Sequence, residues 1–346
     1  MRAATVKQIA RECGFELCGI AAVSDIAPDY DRYQAWLDHG MAGEMRYLTD
    51  HRAEIRGDVR RLLPSARSVI CVGKLYNSTQ PTGEPGPGRA LISRYAWGAD
   101  YHAVIRASLK RLEERLAEIQ PFDSKICVDT APLLERSLAR QAGLGWIGRN
   151  SCLINEPAGS WFFLGEIITS LEIESDSPPP DRCGTCMKCI EACPTLAFVP
   201  AENGWRLDAR RCIAYFTIEL RGSIREEFRP QMGAHVFGCD ICQDVCPWNS
   251  KAHVTEDRQL AQAHFAPTLE ELAAMTEQDF RVRFRGTALE RPKYAGFLRN
   301  VAVAMGNSGL ERFREPLERL AANENEMVAE HARWALKRLE NLESEA

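Results

Sequence analysis

Eight cysteines between positions 183 and 246 constrain the fold of this chain more than any other feature. In the first run, neighbouring cysteines among the first three are separated by two residues. Three residues lie between the third cysteine and the fourth, and a proline follows the fourth. A second run closes with the same Cys-Pro pair, and one cysteine stands between the two runs. Thiolates at this spacing are typical of iron–sulfur cluster ligands.

The spacing also predicts which thiolates share a cluster. In two-cluster ferredoxin motifs, the fourth cysteine of a run ligates the other cluster. The first three thiolates therefore need the last cysteine of the second run, and the remaining four complete the second cluster. The predicted ligand sets are Cys183, Cys186, Cys189 and Cys246 for one [4Fe-4S] cluster, and Cys193, Cys212, Cys239 and Cys242 for the other. Two four-cysteine zinc sites are the alternative, although crossed ligands and the two prolines have no role in a zinc ribbon.

Composition and charge limit the classes of protein to which the chain can belong. At 346 residues it is long enough for two or three domains. It contains no apolar run of the roughly 18 residues that a membrane span needs and no basic-then-apolar leader, so we expect no membrane partner. Thirteen cysteines without an export signal indicate a reducing, cytoplasmic compartment. With a net charge of −5, any nucleic-acid site must be a local patch.

Apolar periodicity predicts a multidomain fold that combines α/β and α+β parts. We expect an N-terminal α/β domain, then a bacterial-ferredoxin-like domain with two clusters, then an α-helical tail of HEAT-like units. The predicted domains are 1–175, 176–250 and 251–346. The predicted strands of the first domain are 17–20, 68–73, 125–128 and 161–171. Its predicted helices include 30–39, 105–119 and 133–142, and a helix over 210–220 is expected to carry Cys212. The proline- and glycine-rich segment 81–88 is predicted to be a loop.

Asp129 is the first candidate for chemistry. It follows the strand predicted at 125–128, and a carboxyl group there would lie at the carboxyl edge of an α/β sheet, where ligand sites form. Burial would raise its pKa and let it donate a proton. The alternative is that Asp129 caps the helix that follows. The glycine-rich segment 143–148 either lets the backbone approach a large flat ligand or forms a turn.

Other motifs are absent or have ordinary explanations. Neither a Gly-x-Gly-x-x-Gly nor a Walker motif is present, so no dinucleotide or nucleoside triphosphate is indicated. The cysteines outside the two cluster sets lie in apolar contexts that favour core packing. These cysteines are Cys13, Cys18, Cys71, Cys127 and Cys152.

Basic residues crowd one short window of the tail. Arginine binds phosphate bidentately, and such clustering predicts a phosphate-binding surface. A solvated helical face is the alternative. The window contains Arg281, Arg283, Arg285, Arg291, Lys293, Arg299, Arg312 and Arg314.

Taken in order, these motifs resemble the epoxyqueuosine reductase family, oxidoreductases that make queuosine in tRNA from its epoxide precursor. The resemblance is carried by Asp129 with Glu135-Arg136, by 143–150, by the eight cysteines and by Arg299-Asn300. It implies a cobalamin bound between the first two domains and a two-electron removal of the epoxide oxygen. It also implies a monomer that takes electrons from a flavodoxin or ferredoxin and binds the anticodon stem-loop of tRNAs with G at the first anticodon position.

Residue roles follow from the resemblance alone. Asp129 would be the proton donor. No histidine is marked as a lower axial ligand of cobalt, and His102 is interpreted as an ordinary helix residue. The implied cobalamin contacts are Arg56, Ser93, Asp129, Leu153, Leu164 and Asp240. The implied tRNA contacts are Arg136, Thr217, Ile218, Glu219, Val282, Arg283, Phe284, Arg285, Gly286, Thr287, Arg299 and Asn300.

Two other functions stay open at this point. A corrinoid and iron–sulfur reductase for another substrate, such as an organohalide, would carry the same cofactors but would not need tRNA. A non-catalytic electron-transfer protein would need neither Asp129 nor the glycine-rich segment.

Overall fold

The computed structural model describes most of the chain, and its elements appear at the positions that the apolar pattern predicts. The described residues are 1–23, 26–79, 85–202, 204–260 and 263–345. Positions 80–84 lie outside them, and with them half of the predicted loop. No described helix combines the length and the apolar character that crossing a bilayer requires.

Fourteen α-helices and ten strands are found in the described part of the chain. The helices are α1 (Ala3–Glu12), α2 (Ala27–Asp38), α3 (Arg46–Thr49), α4 (Arg52–Ile55), α5 (Tyr101–Ile119), α6 (Glu135–Gln141), α7 (Lys188–Glu191), α8 (Ile213–Ile218), α9 (Ile241–Asp244), α10 (Leu269–Ala273), α11 (Glu277–Arg283), α12 (Lys293–Asn307), α13 (Arg314–Ala321) and α14 (Glu326–Glu345). The strands are β1 (Leu17–Ala22), β2 (Ser68–Leu75), β3 (Leu91–Ile92), β4 (Ser124–Cys127), β5 (Trp146–Ile147), β6 (Leu153–Ile154), β7 (Phe162–Thr169), β8 (Phe198–Ala201), β9 (Gly204–Leu207) and β10 (His235–Phe237).

The main sheet of the N-terminal part has four strands in the order β1-β2-β7-β4, and every pairing is antiparallel. The mixed α/β character expected from the sequence is confirmed. The expectation that Asp129 lies at the carboxyl edge of an α/β sheet is wrong, because neighbouring antiparallel strands end at opposite edges. Apolar runs identify strands but do not give their directions.

Helices cover both faces of this sheet. The apolar stripe of α5, which includes Ile105, Leu109 and Leu112, packs with Ile70 and Ile167 on one face. On the other face, α6 packs its own buried residues against Val69 and Ile168. Each fully buried aliphatic side chain contributes about 1.5–3 kcal/mol to folding. The sheet is therefore held between two apolar layers, and the loops at its ends are free to form a site.

The helical tail shares its core with earlier parts of the chain. The short strand β3 pairs in parallel with β10, and Ile92 and Phe237 enter the same apolar cluster as α10, α12 and α14. The described tail residues beyond position 263 are helical and form no named strand, as predicted. The HEAT-like arrangement and the domain limits stay predictions. The helix expected over 210–220 is shorter, because Cys212 is extended and α8 begins after it.

Candidate active site

Asp129 lies in a tight turn directly after β4. Its φ is 53°, and the Thr130 N–H donates to the Val128 carbonyl at 2.5 Å, so Asp129 is the central residue of a three-residue turn. The Asp129 N–H in turn donates to Glu135 Oε1 at 2.6 Å. Helix α6 begins at Glu135 with Leu134 at its N-cap, so Asp129 does not cap that helix. The turn leaves the Asp129 carboxylate free for other partners.

Two residues from the start of α5 bind this carboxylate. Asp100 caps the helix, accepting the His102 N–H at 3.0 Å, and this places the next two side chains toward the turn. Tyr101 donates its hydroxyl to Asp129 Oδ2 at 2.8 Å. His102 Nε2 lies 3.3 Å from the same oxygen, while its Nδ1 lies 2.7 Å from Asp100 Oδ1. The sequence analysis missed both roles, because these residues are distant from Asp129 in sequence and the Asp-Tyr-His run by itself signals only a helix start.

The contacts shift the two titrating groups in opposite directions. Partial burial raises the pKa of Asp129, but hydrogen bonds from His102 and Tyr101 outweigh it and hold the pKa below its ordinary value. The Asp129 side chain is still 58% exposed. The hydrogen bond to Asp129 raises the pKa of His102 despite burial, and Asp100 adds to the effect. The predicted rise of the Asp129 pKa is therefore wrong: the antiparallel sheet leaves this carboxyl on an open wall with two donors.

A cavity of about 290 Å³ opens beside Asp129. Two of the predicted cofactor contacts, Leu153 and Leu164, line it together with Asp129. Exposed Arg136 stands on the same wall and bonds the Ser151 carbonyl. Carboxylate, aliphatic and guanidinium groups that are far apart in sequence thus meet at one cavity.

A second cavity, of about 650 Å³, holds two further predicted cofactor contacts, Ser93 and Asp240. The Ser93 hydroxyl donates to Asp240 Oδ1, and the Arg94 N–H donates to Oδ2 at 2.7 Å. Burial raises the pKa of Asp240. The Arg94 side chain also lines this cavity, and its Nε is buried without a hydrogen-bond partner in the described residues.

The two cavities are adjacent across one polar wall. Ser160 donates to Gln243 Oε1 at 2.9 Å and accepts from Asn249 Nδ2 at 2.9 Å. Ser160 and Gln243 line the smaller cavity, whereas Asn249 lines the larger. Arg56 is not brought to either cavity lining. Its guanidinium is buried among α3 and α4, where it donates to the carbonyls of Tyr47 and Arg52 at 3.1 Å.

The eight cysteines fall into two groups in space. The Cys189 thiol interacts electrostatically with the other three members of its predicted set. In the second predicted set, the Cys239 thiol interacts in the same way with Cys193 and Cys212, and the Cys242 thiol interacts with Cys212 and Cys239. Cluster ligation itself stays a prediction. Of the cysteines assigned to core packing, Cys152 has a different place: it hydrogen-bonds to Cys242 and lines the smaller cavity.

The glycine-rich segment forms a hairpin rather than a platform. Strands β5 and β6 pair across it, and a Cβ on Gly145 would lie 2.2 Å from the Ile154 carbonyl oxygen. A Cβ on Gly148 would lie 2.5 Å from the Ile154 side chain. The hairpin therefore requires glycine at both positions, as the turn alternative predicted. In the loop of the hairpin, Asn150 donates to the Cys242 carbonyl at 3.2 Å, which joins this part of the chain to the second cysteine run.

Four of the predicted tRNA contacts have side chains that are buried in the protein alone, and their role in tRNA binding stays a prediction. Arg299 is fully buried and donates to the carbonyls of Phe216, Leu220 and Gly222. Asn300 is fully buried too and donates to the carbonyls of Thr217 and Val236 at 2.9 Å. These side chains fasten α12 to α8 and β10. The fully buried members of the predicted set are Thr217, Phe284, Arg299 and Asn300.

The other predicted contacts are accessible to different degrees. The exposed members are Arg136, Val282, Arg285 and Gly286, and the partly exposed members are Ile218, Glu219, Arg283 and Thr287. The basic window contains more acid partners than the sequence analysis expected. Its paired arginines are Arg281 with Glu277, Arg283 with Glu271, Arg291 with Glu219, Arg312 with Glu270 and Arg314 with Glu311. Arg285 makes no ion pair with any described residue.

One arginine of the tail reaches toward the candidate site. Arg291 forms two bonds to the Glu219 carboxylate, at 3.0 and 3.1 Å, and lies over the Tyr47 ring at 5.5 Å. Its charge also lowers the pKa of Asp129. The sequence analysis placed Arg291 in the basic window without a role at the site. The tail therefore contributes to the electrostatics of the Asp129 wall.

With this geometry established, comparison with known proteins gives a consistent result. Residues 56–130 match the family described as epoxyqueuosine reductase QueG, DUF1730, and residues 182–249 match the 4Fe-4S double cluster binding domain. An epoxyqueuosine reductase of Xanthomonas campestris pv. campestris is 42% identical over 342 residues, which cover 96% of this chain and 95% of that protein.

Solved structures agree with the sequence relatives. An epoxyqueuosine reductase with an epoxyqueuosine-modified tRNA-Tyr stem loop matches with a TM-score of 0.89 at 28% identity, covering 97% of this chain and 89% of that one. The Bacillus subtilis epoxyqueuosine reductase, solved with its catalytic aspartate loop swung out of the active site, matches with a TM-score of 0.87 at 27% identity, covering 97% and 90%. With relatives this similar over nearly its whole length, the chain belongs to the epoxyqueuosine reductase family.

Proposed function

We propose that this chain reduces epoxyqueuosine in tRNA to queuosine, with Asp129 delivering a proton to the departing oxygen. The reaction takes up two electrons and two protons, opens the epoxide to an alkene and releases its oxygen as water. One observation carries the proposal. In a chain of this family, the Tyr101 hydroxyl and His102 Nε2 both contact Asp129 Oδ2, and Asp129 lines a cavity. The relative from Bacillus subtilis, described with a catalytic aspartate loop, supports the same role for Asp129.

The residues present fit a cobalamin and two [4Fe-4S] clusters. The apolar wall of Leu153 and Leu164 suits the face of a large ring, and Ser93 and Asp240 offer polar groups in the adjoining cavity. The unpartnered Arg94 Nε is a buried donor that a polar cofactor group would satisfy. When bound, cobalamin supplies the metal that transfers electrons to the epoxide, and the clusters pass it single electrons from a donor such as flavodoxin or ferredoxin.

The side chains around Asp129 hold and move the proton. Because the pKa of His102 is raised and that of Asp129 is lowered, the proton rests on His102 before the reaction. Tyr101 fixes the shared oxygen, Asp129 Oδ2, through its hydroxyl. As the strained ring opens and its oxygen gains negative charge, the proton moves from His102 to the Asp129 carboxylate, which passes it to that oxygen. Tyr101 stacks on Phe163 at 4.3 Å, which keeps its hydroxyl in place.

Accessible residues near the cavity and in the tail would bind the tRNA substrate. We propose that the modified base turns out of the anticodon loop into the smaller cavity, since a loop base unstacks at modest cost. Arg136 at the cavity and Arg285 in the tail are exposed and suited to phosphates. The surface pairs elsewhere in the window are each worth about 0–1 kcal/mol, so a phosphate competes for their arginines.

The test is a nucleoside assay under anaerobic conditions. Protein reconstituted with iron, sulfide and cobalamin is given a chemical reductant and tRNA that carries epoxyqueuosine, and the digested nucleosides are analysed by mass spectrometry. Queuosine should appear with the unchanged chain and be lost with Asp129→Asn, while the cluster and corrinoid absorption stays the same. Unchanged conversion by Asp129→Asn would show that this residue has no part in the mechanism. If no form of the protein converted the tRNA, epoxyqueuosine would be excluded as its substrate.

A further inference from the structure

Two carboxyl groups lie beside Asp129: Glu166, which is fully buried, and Glu135, which is partly exposed at the smaller cavity. Glu166 stands in the middle of β7, opposite Cys71 of β2 and Cys127 of β4, and is 0% exposed. Its side chain lies on the face of the sheet that α6 covers, and Glu135 is the first residue of that helix. Both Glu166 oxygens are buried, and neither finds a hydrogen-bond donor among the described residues.

Leaving two unpaired carboxylate oxygens ionised at the centre of a buried strand is costly, because neither oxygen regains the hydrogen bonds that it makes in water. A proton on Glu166 removes the difficulty, because the resulting O–H can donate to the neighbouring Glu135 carboxylate. Burial raises the pKa of Glu166 well above its ordinary value, and the charge of Glu135 raises it further. Burial, with the Asp129 charge, raises the pKa of Glu135 to about 7, a smaller rise than that of Glu166 because the Asp129 N–H and the Arg136 charge favour the ionised form of Glu135. The proton therefore lies on Glu166, and the charge lies on Glu135.

The charge on Glu135 has a definite use. Asp129 is a non-glycine residue at a φ of 53°, a strained conformation that persists only where surrounding contacts impose it. The contact on its backbone N–H is Glu135 Oε1, at 2.6 Å. An ionised acceptor makes this bond about twice as strong as a neutral one.

We propose that Glu135 and Glu166 form a one-proton latch that holds the Asp129 turn in its working position. Glu135 and Glu166 are positioning residues, since they act through Asp129. The inference rests on the role of Asp129 proposed above. The groups facing the pair are Asp129 from the turn, Arg136 from α6, and the thiols of Cys71 and Cys127 from the flanking strands. When rising pH removes the shared proton, three carboxylates face each other and the latch loosens.

Two variants separate the latch from a merely structural role. In Glu166→Gln, the amide donates to Glu135 permanently and stands in for the protonated acid. In Glu135→Ala, the acceptor of the Asp129 N–H is lost. Glu118→Gln on the exposed face of α5 is the matched control. The readouts are hydrogen–deuterium exchange of the 126–134 segment in the reconstituted protein and the infrared band of a protonated carboxylic acid.

With Glu135→Ala, exchange in this segment should become faster, and kcat should fall about tenfold to a hundredfold, as expected for loss of one hydrogen bond to a charged group, with KM for tRNA little changed. With Glu166→Gln, protection and kcat should stay near those of the unchanged chain, the acid band should disappear, and the loosening at high pH should be absent. Unchanged exchange in Glu135→Ala, or an acid band that survives Glu166→Gln, would overturn the latch. Hydrogen–deuterium exchange and the infrared band are measured without turnover. A failure of the proposed function is therefore recognised separately, in the nucleoside assay with Asp129→Asn.

Discussion

At the scale of single residues, the site works through an acid and a base whose pKa values are pushed in opposite directions. Asp129 alone would be a poor proton donor, because its pKa is held below its ordinary value by His102 and Tyr101. His102 carries the proton instead, since the same hydrogen bond raises its pKa. The two residues therefore act as a pair, in which His102 holds the proton and Asp129 lies at the cavity.

The pair predicts a pH dependence with a definite sign. The His102 pKa is raised above its ordinary 6.5, so its ion pair is fully formed below that pH and is lost as pH rises through the raised value. Because the Asp129 pKa is lowered, the pair is lost on the acid side only as pH falls through that lowered value. Single-turnover rates should therefore decline on the alkaline side.

The measurement is an NMR titration of His102 together with the pH–rate profile. The His102 pKa should lie above 6.5 in the unchanged chain and fall in Asp129→Asn. His102→Gln should lower the rate and remove the alkaline decline, while His39→Gln, on an exposed histidine, should change neither. A His102 pKa at or below the ordinary value would contradict the assignment of the proton.

Much of this site is invisible in the sequence for a physical reason. Local signals located the strand before Asp129 and the grouping of the cysteines, because apolar runs and ligand spacing are properties of short segments. The meeting of His102 with Asp129, and of Glu135 with Glu166, depends on how α5, α6 and β7 pack, which no short segment encodes. The burial of Arg299 is hidden in the sequence for the same reason: an arginine in a basic window reads as a surface residue until its three carbonyl partners are seen.

At the scale of elements, α12 acts as a fastener rather than a binding surface. Its Arg299 and Asn300 satisfy carbonyl groups of α8, of the segment after it, and of β10. Burial lowers the pKa of Arg299 to about 10, which still leaves it charged at neutral pH. A buried charge of this kind is tolerated because several acceptors surround it.

Replacing Arg299 should therefore destabilise the fold. Arg299→Met leaves three carbonyl oxygens without this donor, at about 1–3 kcal/mol each, so a loss of at least about 3 kcal/mol is expected. The apparent melting temperature should fall by several degrees. Arg281→Met, an exposed residue paired with Glu277, should change stability by no more than about 0.5 kcal/mol. An unchanged melting temperature for Arg299→Met, with weaker tRNA binding, would restore Arg299 to the tRNA surface.

The hairpin of β5 and β6 gives a second prediction for an element. Gly145→Ala places a Cβ 2.2 Å from the Ile154 carbonyl, which is backbone and cannot rotate away. The hairpin must then open, and because Asn150 joins its far end to the Cys242 carbonyl, reconstitution of the second cluster should suffer. Iron and sulfide content after reconstitution measures this effect. Gly184→Ala, where a Cβ meets nothing within 4 Å but φ is 54°, is a control for glycine loss near the cysteines. Equal iron content in Gly145→Ala and the unchanged chain would contradict the prediction.

At the scale of the whole molecule, the parts that sequence analysis separates are joined around one site. Strand β3 of the N-terminal part pairs with β10, which lies just before the second cysteine run, and both enter the core of the tail. Arg291 from the tail then reaches the electrostatic surroundings of Asp129. A tRNA held by the tail is thus held in a fixed relation to the cavity, and the exposed basic residues on that route should set the affinity.

The salt dependence of tRNA binding tests this arrangement. Each phosphate contact contributes about 0.7–0.9 to the slope of log affinity against log salt, the lower value applying to single strands. Arg136→Gln at the cavity and Arg285→Gln in the tail should each weaken binding and flatten the slope by about that amount, and together by the sum, because the two residues belong to different elements. Lys110→Gln, an exposed cation of α5, removes the same charge and should leave the slope unchanged. If all three variants flatten the slope equally, the loss reflects net charge rather than phosphate contacts, and the tRNA lies elsewhere.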